Sequence, residues 1–134
     1  MVGATIDEVR QKVDGEPNLT VISSGPVPHD PSELLMTRTA KTLVEQLAAE
    51  FDLVVLDSPP VLVVADPLVI SAFVDGLILV ASANGTDRRQ VSKACELLAQ
   101  VGAPVIGTVL NALDTDSGSP YEYRYAYGRY ETTS

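Results

Sequence analysis

The sequence predicts an α/β fold, a mostly parallel sheet of about four strands with helices on both faces in three layers. Short valine-rich apolar runs, FDLVVLD, GLILVASA and VIGTVL, suit strands buried on both faces. Between them lie segments with helical apolar spacing and recognisable start signals. The two kinds of segment alternate along the chain, which implies βαβ units with crossover helices.

Taken in order, Ile6, Val9 and Val13 predict a short helix over residues 5–13. Asp7 and Glu8 fall in its first turn, where the helix dipole favours anions, and Gly15 ends it. Residues 18–23 (NLTVIS) alternate apolar and polar side chains and predict a strand stopping at Gly25-Pro26. A proline-rich loop follows and carries the single histidine, His29, read as a solvated loop residue. Ser32 is the expected N-cap of a helix over residues 33–50, with Leu34, Leu35, Leu43, Leu47 and Ala48 on its buried face.

The segment from Phe51 to Pro60 organises the rest. Leu53 to Leu56 form the apolar run, and the strand should end at Asp57 because Pro59 and Pro60 lack the N–H that pairing needs. Asp66 can cap, and Pro67 can begin, a helix over residues 68–73. A buried strand is expected over residues 76–83. Thr86 or Asp87 then caps a helix through Gln100 that buries Val91, Ala94, Cys95, Leu98 and Val101. Ala103-Pro104 turns the chain into a last strand, residues 105–110, ending at Asn111.

From Asp114 the core pattern stops, dividing the chain into a domain over residues 1–113 and a tail over residues 114–134. All five tyrosines, Tyr121, Tyr123, Tyr125, Tyr127 and Tyr130, fall in that tail. They read either as a low-complexity adhesive segment or as phosphorylation acceptors, where each phosphate adds close to two negative charges.

Composition narrows the function. With 134 residues the chain suits one domain, and a net charge of −9 argues against a nucleic-acid partner, which needs clustered Lys and Arg. Cys95 is the only cysteine, so an internal disulfide is excluded and a reducing compartment is the simplest inference. The long apolar territory from Pro59 to Ala83 is interrupted by Asp66, Pro67 and Asp75 and does not read as a membrane span, and no signal peptide is expected. His29 and Cys95, far apart in sequence, offer no convincing nucleophile–base pair.

Asp57 is the leading candidate for chemistry. An aspartate at the carboxyl end of a parallel strand sits where open α/β sheets bind ligands, in the pattern of a Walker B carboxylate that holds Mg²⁺ beside nucleotide phosphates. The same residue also reads as the start of a turn.

Four segments then occur in a fixed order: PSELL (Pro31 to Leu35), FDLVVLDSPPVLVVAD (Phe51 to Asp66), VDGLILVASANGTDRR (Val74 to Arg89) and VGAPVIGTVLNALD (Val101 to Asp114). Followed by a tyrosine cluster, they resemble the cytoplasmic kinase domain of the bacterial protein-tyrosine kinases of capsule and exopolysaccharide synthesis, the BY-kinases. That family is related to P-loop ATPases with a deviant Walker motif. The resemblance covers the chain from Val2 to the tail. It implies ATP and Mg²⁺ as cofactors, with Asp57 as the Walker B ligand of the metal and Asn111 beside the adenine base. Asp66 matches the family's acidic position after the Pro-Pro turn, with capping and catalysis both open as its role. The five tail tyrosines become autophosphorylation acceptors, received by a neighbouring subunit of a ring. The implied partners are a membrane-embedded polysaccharide chain-length regulator or activator, and another copy or an intact kinase. The implied location is the cytoplasm, at the inner face of the membrane through that partner.

The departures are equally specific. No G-x-x-x-x-G-K-[ST] occurs, and Lys12, Lys41 and Lys93 all fall in expected helices. The aspartate-bearing Walker A′ strand is also missing. The sequence therefore reads as the carboxy-terminal half of the family's domain. Without the phosphate cradle and its lysine, the chain alone is expected to be catalytically incompetent. Two alternatives stand beside it: a noncatalytic regulatory module phosphorylated in trans, or a nonfunctional remnant. Loss of the central strand is also expected to leave Leu53 to Leu56 with unpaired edge groups unless the sheet closes or another chain fills the gap.

Overall fold

The computed structural model describes residues 5–26 and 28–113. The tail from residue 114, with all five tyrosines and the expected domain boundary, lies outside the described residues.

The chain opens with a single helical turn, α1 (Ile6–Val9), in which the Glu8 carboxylate accepts from both the amide and the hydroxyl of Thr5. These bonds hold the Glu8 carboxyl below its usual range. The helix expected to run to residue 13 stops there, because β1 (Arg10–Val13) turns at Asp14-Gly15 and pairs antiparallel with β2 (Glu16–Ile22). Asp-Gly is a strong hairpin signal, and Gly15 takes φ +83°, which a residue without Cβ adopts cheaply.

The expected helix over residues 33–50 is two helices, α2 (Pro31–Met36) and α3 (Arg38–Glu50). Asp30, not Ser32, caps the first, accepting from the Glu33 amide at 3.1 Å with Pro31 at the opening position. Thr37 divides them. Its backbone is extended, and its hydroxyl donates to the Leu34 carbonyl while accepting from the Ala40 amide.

Residues 51–60 contain no strand. Among the described residues, 52–59 make no backbone hydrogen bond with any other, and Leu53 and Val55 are each 79% exposed. The expected strand at Leu53 to Leu56 is thus corrected to an unpaired apolar segment. An apolar run supplies the tendency to pair, whereas a strand requires a neighbour.

A second corner is built by α4 (Asp66–Ile70) and a 3₁₀ turn over Ser71–Phe73. Then β3 (Leu77–Ser82), α5 (Arg88–Gln100) and β4 (Val105–Asn111) form a βαβ unit, with β3 and β4 parallel and Ile78 to Ser82 opposite Gly107 to Asn111. The molecule is therefore α/β with a small parallel sheet and helices. Among the described residues four strands pair two by two, one hairpin and one parallel pair.

Apolar burial is sparse. Among the described residues the buried apolar side chains are Leu47, Pro67, Ala94 and Leu98. In β3, half-buried Leu77 and Leu79 alternate with exposed Ile78 and Val80, so one face of that strand is covered, whereas every residue of β4 is exposed. A Cβ added at Gly107, opposite Ile78, would meet nothing within 4 Å. Cys95 and Val101 are exposed rather than buried, because Val91, Ala94 and Leu98 define the inward stripe of α5. Leu34, Leu43 and Ala48 are likewise exposed, the inner line of α3 running through Ala40, Val44 and Leu47.

Two polar clasps join distant segments. The Arg10 guanidinium meets both carboxylate oxygens of Glu50 at 2.6 Å, lies 3.4 Å from Asp7, and stands 5.7 Å from the Phe51 ring centre. The second links Ser32 in α2 to Asp66 in α4.

Candidate functional site

The parallel pairing of β3 and β4 brings their carboxyl ends together, Ser82 opposite Asn111, at the edge where α/β sheets take ligands. The Ala83 amide donates to the Asn111 carbonyl at 2.8 Å and extends the register past the last residue of β3. The following loop is held by its own polar side chains. The Thr86 hydroxyl accepts from the Ser82 amide at 3.1 Å, and Asp87 and Gln90 exchange reciprocal side-chain bonds with each other's amides. This capping box starts α5 at the point that the Thr-Asp pair foretold.

Across the gap, the Asn84 amide group donates to the Ala112 carbonyl at 3.1 Å. Ala112 has φ +55°, a left-handed conformation unusual for alanine, and its amide donates to the Asn111 Oδ1 at 2.8 Å. With Oδ1 engaged, Nδ2 of exposed Asn111 is the group left to donate to an acceptor such as a purine nitrogen.

Asp57 is exposed on the unpaired segment and has no hydrogen-bond or ion-pair partner among the described residues. It supplies one carboxylate. No group of three or more His, Cys, Asp or Glu side chains suited to a metal occurs among the described residues. A lone carboxylate fits the protein's usual share of an Mg²⁺ site, where phosphates and waters complete the octahedron.

Asp66 behaves differently. It is half-buried at the start of α4, makes no side-chain cap to its own helix, and accepts the Ser32 hydroxyl at 2.5 Å. The capping role read from the sequence is therefore replaced by a tether between α2 and α4. Ser32 and Asn84 are the residues that sequence reasoning missed at this end of the fold. The Asp30-Pro31 pair already identified the true cap and so freed Ser32 for another task. Asn84 carries no signal beyond lying in a polar loop.

No hydrogen bond or ion pair joins Asp57, Asp66 and Asn111 to one another among the described residues. The structure thus brings together the ends of β3 and β4, and ties Asp66 to Ser32, while Asp57 stands alone.

No family model matches the chain. The tyrosine-protein kinase YwqD of Bacillus subtilis is 36% identical over 112 residues, covering 84% of this chain and 47% of the relative. The tyrosine-protein kinase CpsD of Streptococcus pneumoniae is 36% identical over 97 residues, 72% of this chain and 43% of its own length. Among solved structures, the kinase domain of the Escherichia coli tyrosine kinase ETK superposes with a TM-score of 0.79 at 33% identity, covering 88% of this chain and 46% of that one. The chimerical protein CapA2B2 gives 0.77 at 31% identity, with coverages of 82% and 48%. The chain spans about half the length of these four proteins, a partial coverage that fits the carboxy-terminal portion read from the motifs. On sequence and fold together, the chain belongs to the bacterial tyrosine-protein kinases.

Proposed function

We propose that the chain supplies the carboxy-terminal half of the nucleotide site of an ATP-dependent protein-tyrosine kinase serving capsule or exopolysaccharide synthesis. What supports this is the match to kinase domains over 88% of this chain but only 46% of theirs. In this reading Asp57 contributes one ligand to Mg²⁺, and Asn111 donates from Nδ2 to the adenine. Ser32 and Asp66 hold α4 against α2, and the tail tyrosines accept phosphate. Bound ATP and Mg²⁺ supply the transferable phosphoryl group and the charge that neutralises it.

The phosphate-cradling loop has no counterpart in this sequence, so residues 1–134 alone do not transfer phosphate. Incubation with labelled ATP and Mg²⁺ tests this, and appreciable labelling of the tail by the chain alone would refute it. The partner by this reading is a membrane-embedded regulator of the polysaccharide pathway that recruits a cytoplasmic kinase ring. No helix among the described residues is long and apolar enough to cross a membrane. A second reading, a noncatalytic module phosphorylated in trans, rests on Asp57 having no hydrogen-bond or ion-pair partner among the described residues. An intact related kinase added in trans discriminates the two: label in the tail without any nucleotide binding by this chain supports the module.

A further inference from the structure

At the carboxyl end of the parallel pair, residues 83 and 84 hold residues 111 and 112 through two successive hydrogen bonds. The first, from the Ala83 amide to the Asn111 carbonyl at 2.8 Å, continues the ladder of β3 and β4. In the second a side chain takes over from the backbone, the Asn84 amide group donating to the Ala112 carbonyl at 3.1 Å. Ala112 is thus gripped at both ends, since its own amide donates to Asn111 Oδ1 at 2.8 Å. Chemistry assigns both side chains: a carbonyl is met by the nitrogen of Asn84, and an N–H by the oxygen of Asn111. The grip is needed because φ +55° is a conformation that alanine keeps only where its surroundings impose it.

We propose that Asn84 is a positioning residue for base recognition. By closing on the Ala112 carbonyl it holds the left-handed turn, which keeps Asn111 Oδ1 engaged and leaves Nδ2 as a fixed donor for an acceptor nitrogen of a purine. Asn84 itself touches no base. Without it the strained residue is held at one end only, and Asn111 is free to turn. This inference rests on the reading of Asn111 as the residue that meets the adenine.

Two variants separate the donor from its bulk. Asn84→Ala removes the side-chain amide, whereas Asn84→Asp keeps its shape but at neutral pH has no proton to donate. Side-chain amide NMR of the isotope-labelled full chain tests the proposal, the Asn111 resonances being assigned by their loss in Asn111→Ala and folding being checked by circular dichroism. In the unaltered chain the Asn111 side-chain order parameter is about 0.8, and in both Asn84 variants it falls below about 0.6. Adenosine, with ribose as the base-free control, shifts the Asn111 resonances of the unaltered chain. It binds about fivefold more weakly to either Asn84 variant and to Asn111→Ala, the worth of one hydrogen bond. An Asn111 side chain equally fixed in Asn84→Ala, an Asn84→Asp chain that behaves like the unaltered one, or unchanged adenosine affinity in both overturns the positioning role alone. Adenosine that shifts nothing, or that binds Asn111→Ala as well as the unaltered chain, overturns the reading of Asn111, and the role of Asn84 falls with it.

Discussion

Replacing Leu98 by alanine tests where this small fold keeps its stability. Leu98 is 1% exposed, and with Leu47, Pro67 and Ala94 it makes up the apolar side chains buried among the described residues. The change removes three side-chain carbons from a closed site, about 2.4 kcal/mol at roughly 0.8 kcal/mol per carbon. The cavity left behind adds about 1 kcal/mol, giving about 3 kcal/mol in all. That is a large fraction of the stability of an ordinary small domain. The same substitution at Leu53, 79% exposed, loses about a fifth of the transfer energy, roughly 0.5 kcal/mol. Urea unfolding followed by far-ultraviolet circular dichroism measures both, the backbone signal being apt because the chain has no tryptophan. A cost for Leu53→Ala equal to that for Leu98→Ala would refute the reasoning, because residues 52–57 would then be buried in solution. A Leu98→Ala cost below about 1 kcal/mol would refute it from the other side.

Other outcomes follow from the polar clasps and the strained turn. Ser32→Ala removes the donor to half-buried Asp66 and costs about 1–3 kcal/mol, with faster hydrogen exchange at residues 68–70; unchanged exchange there would contradict the tether. The Arg10 guanidinium holds the Glu50 carboxyl below its ordinary value of 4.5. Its contribution is therefore complete above that value and is lost as pH falls through the depressed one. Glu50→Gln should flatten the stability profile in that acid window, and an unaltered profile would show the pair to be idle. Ala112→Gly relieves a left-handed alanine and should stabilise by about 0.5 kcal/mol, whereas a loss would mean that the methyl group packs.

The βαβ unit over β3, α5 and β4 was legible because each part carries its own local signal. Apolar runs, the Asp87–Gln90 capping box and the Pro104 turn all agree there. Where signals were longer-range, reading failed. The Asp14-Gly15 hairpin was readable, yet Ile6, Val9 and Val13 at helical spacing masked it. Thr37 is a good cap inside a helical pattern, and the pattern hid the break. Leu53 to Leu56 have the composition of a buried strand, but pairing depends on a neighbour that composition cannot supply. At the site, Asn111 was found at its strand end as the VLN pattern implies. Ser32 was assigned to the wrong task, because its partner Asp66 lies 34 residues away in sequence.

By the function proposed above, this chain holds one half of a kinase nucleotide site and does not act alone. Labelled ATP with Mg²⁺, given first to the purified chain and then to the chain with an intact related kinase, tests it most directly. No transfer is expected in the first case, and label on the tail tyrosines is expected in the second. Tail phosphorylation by the purified chain alone would contradict it.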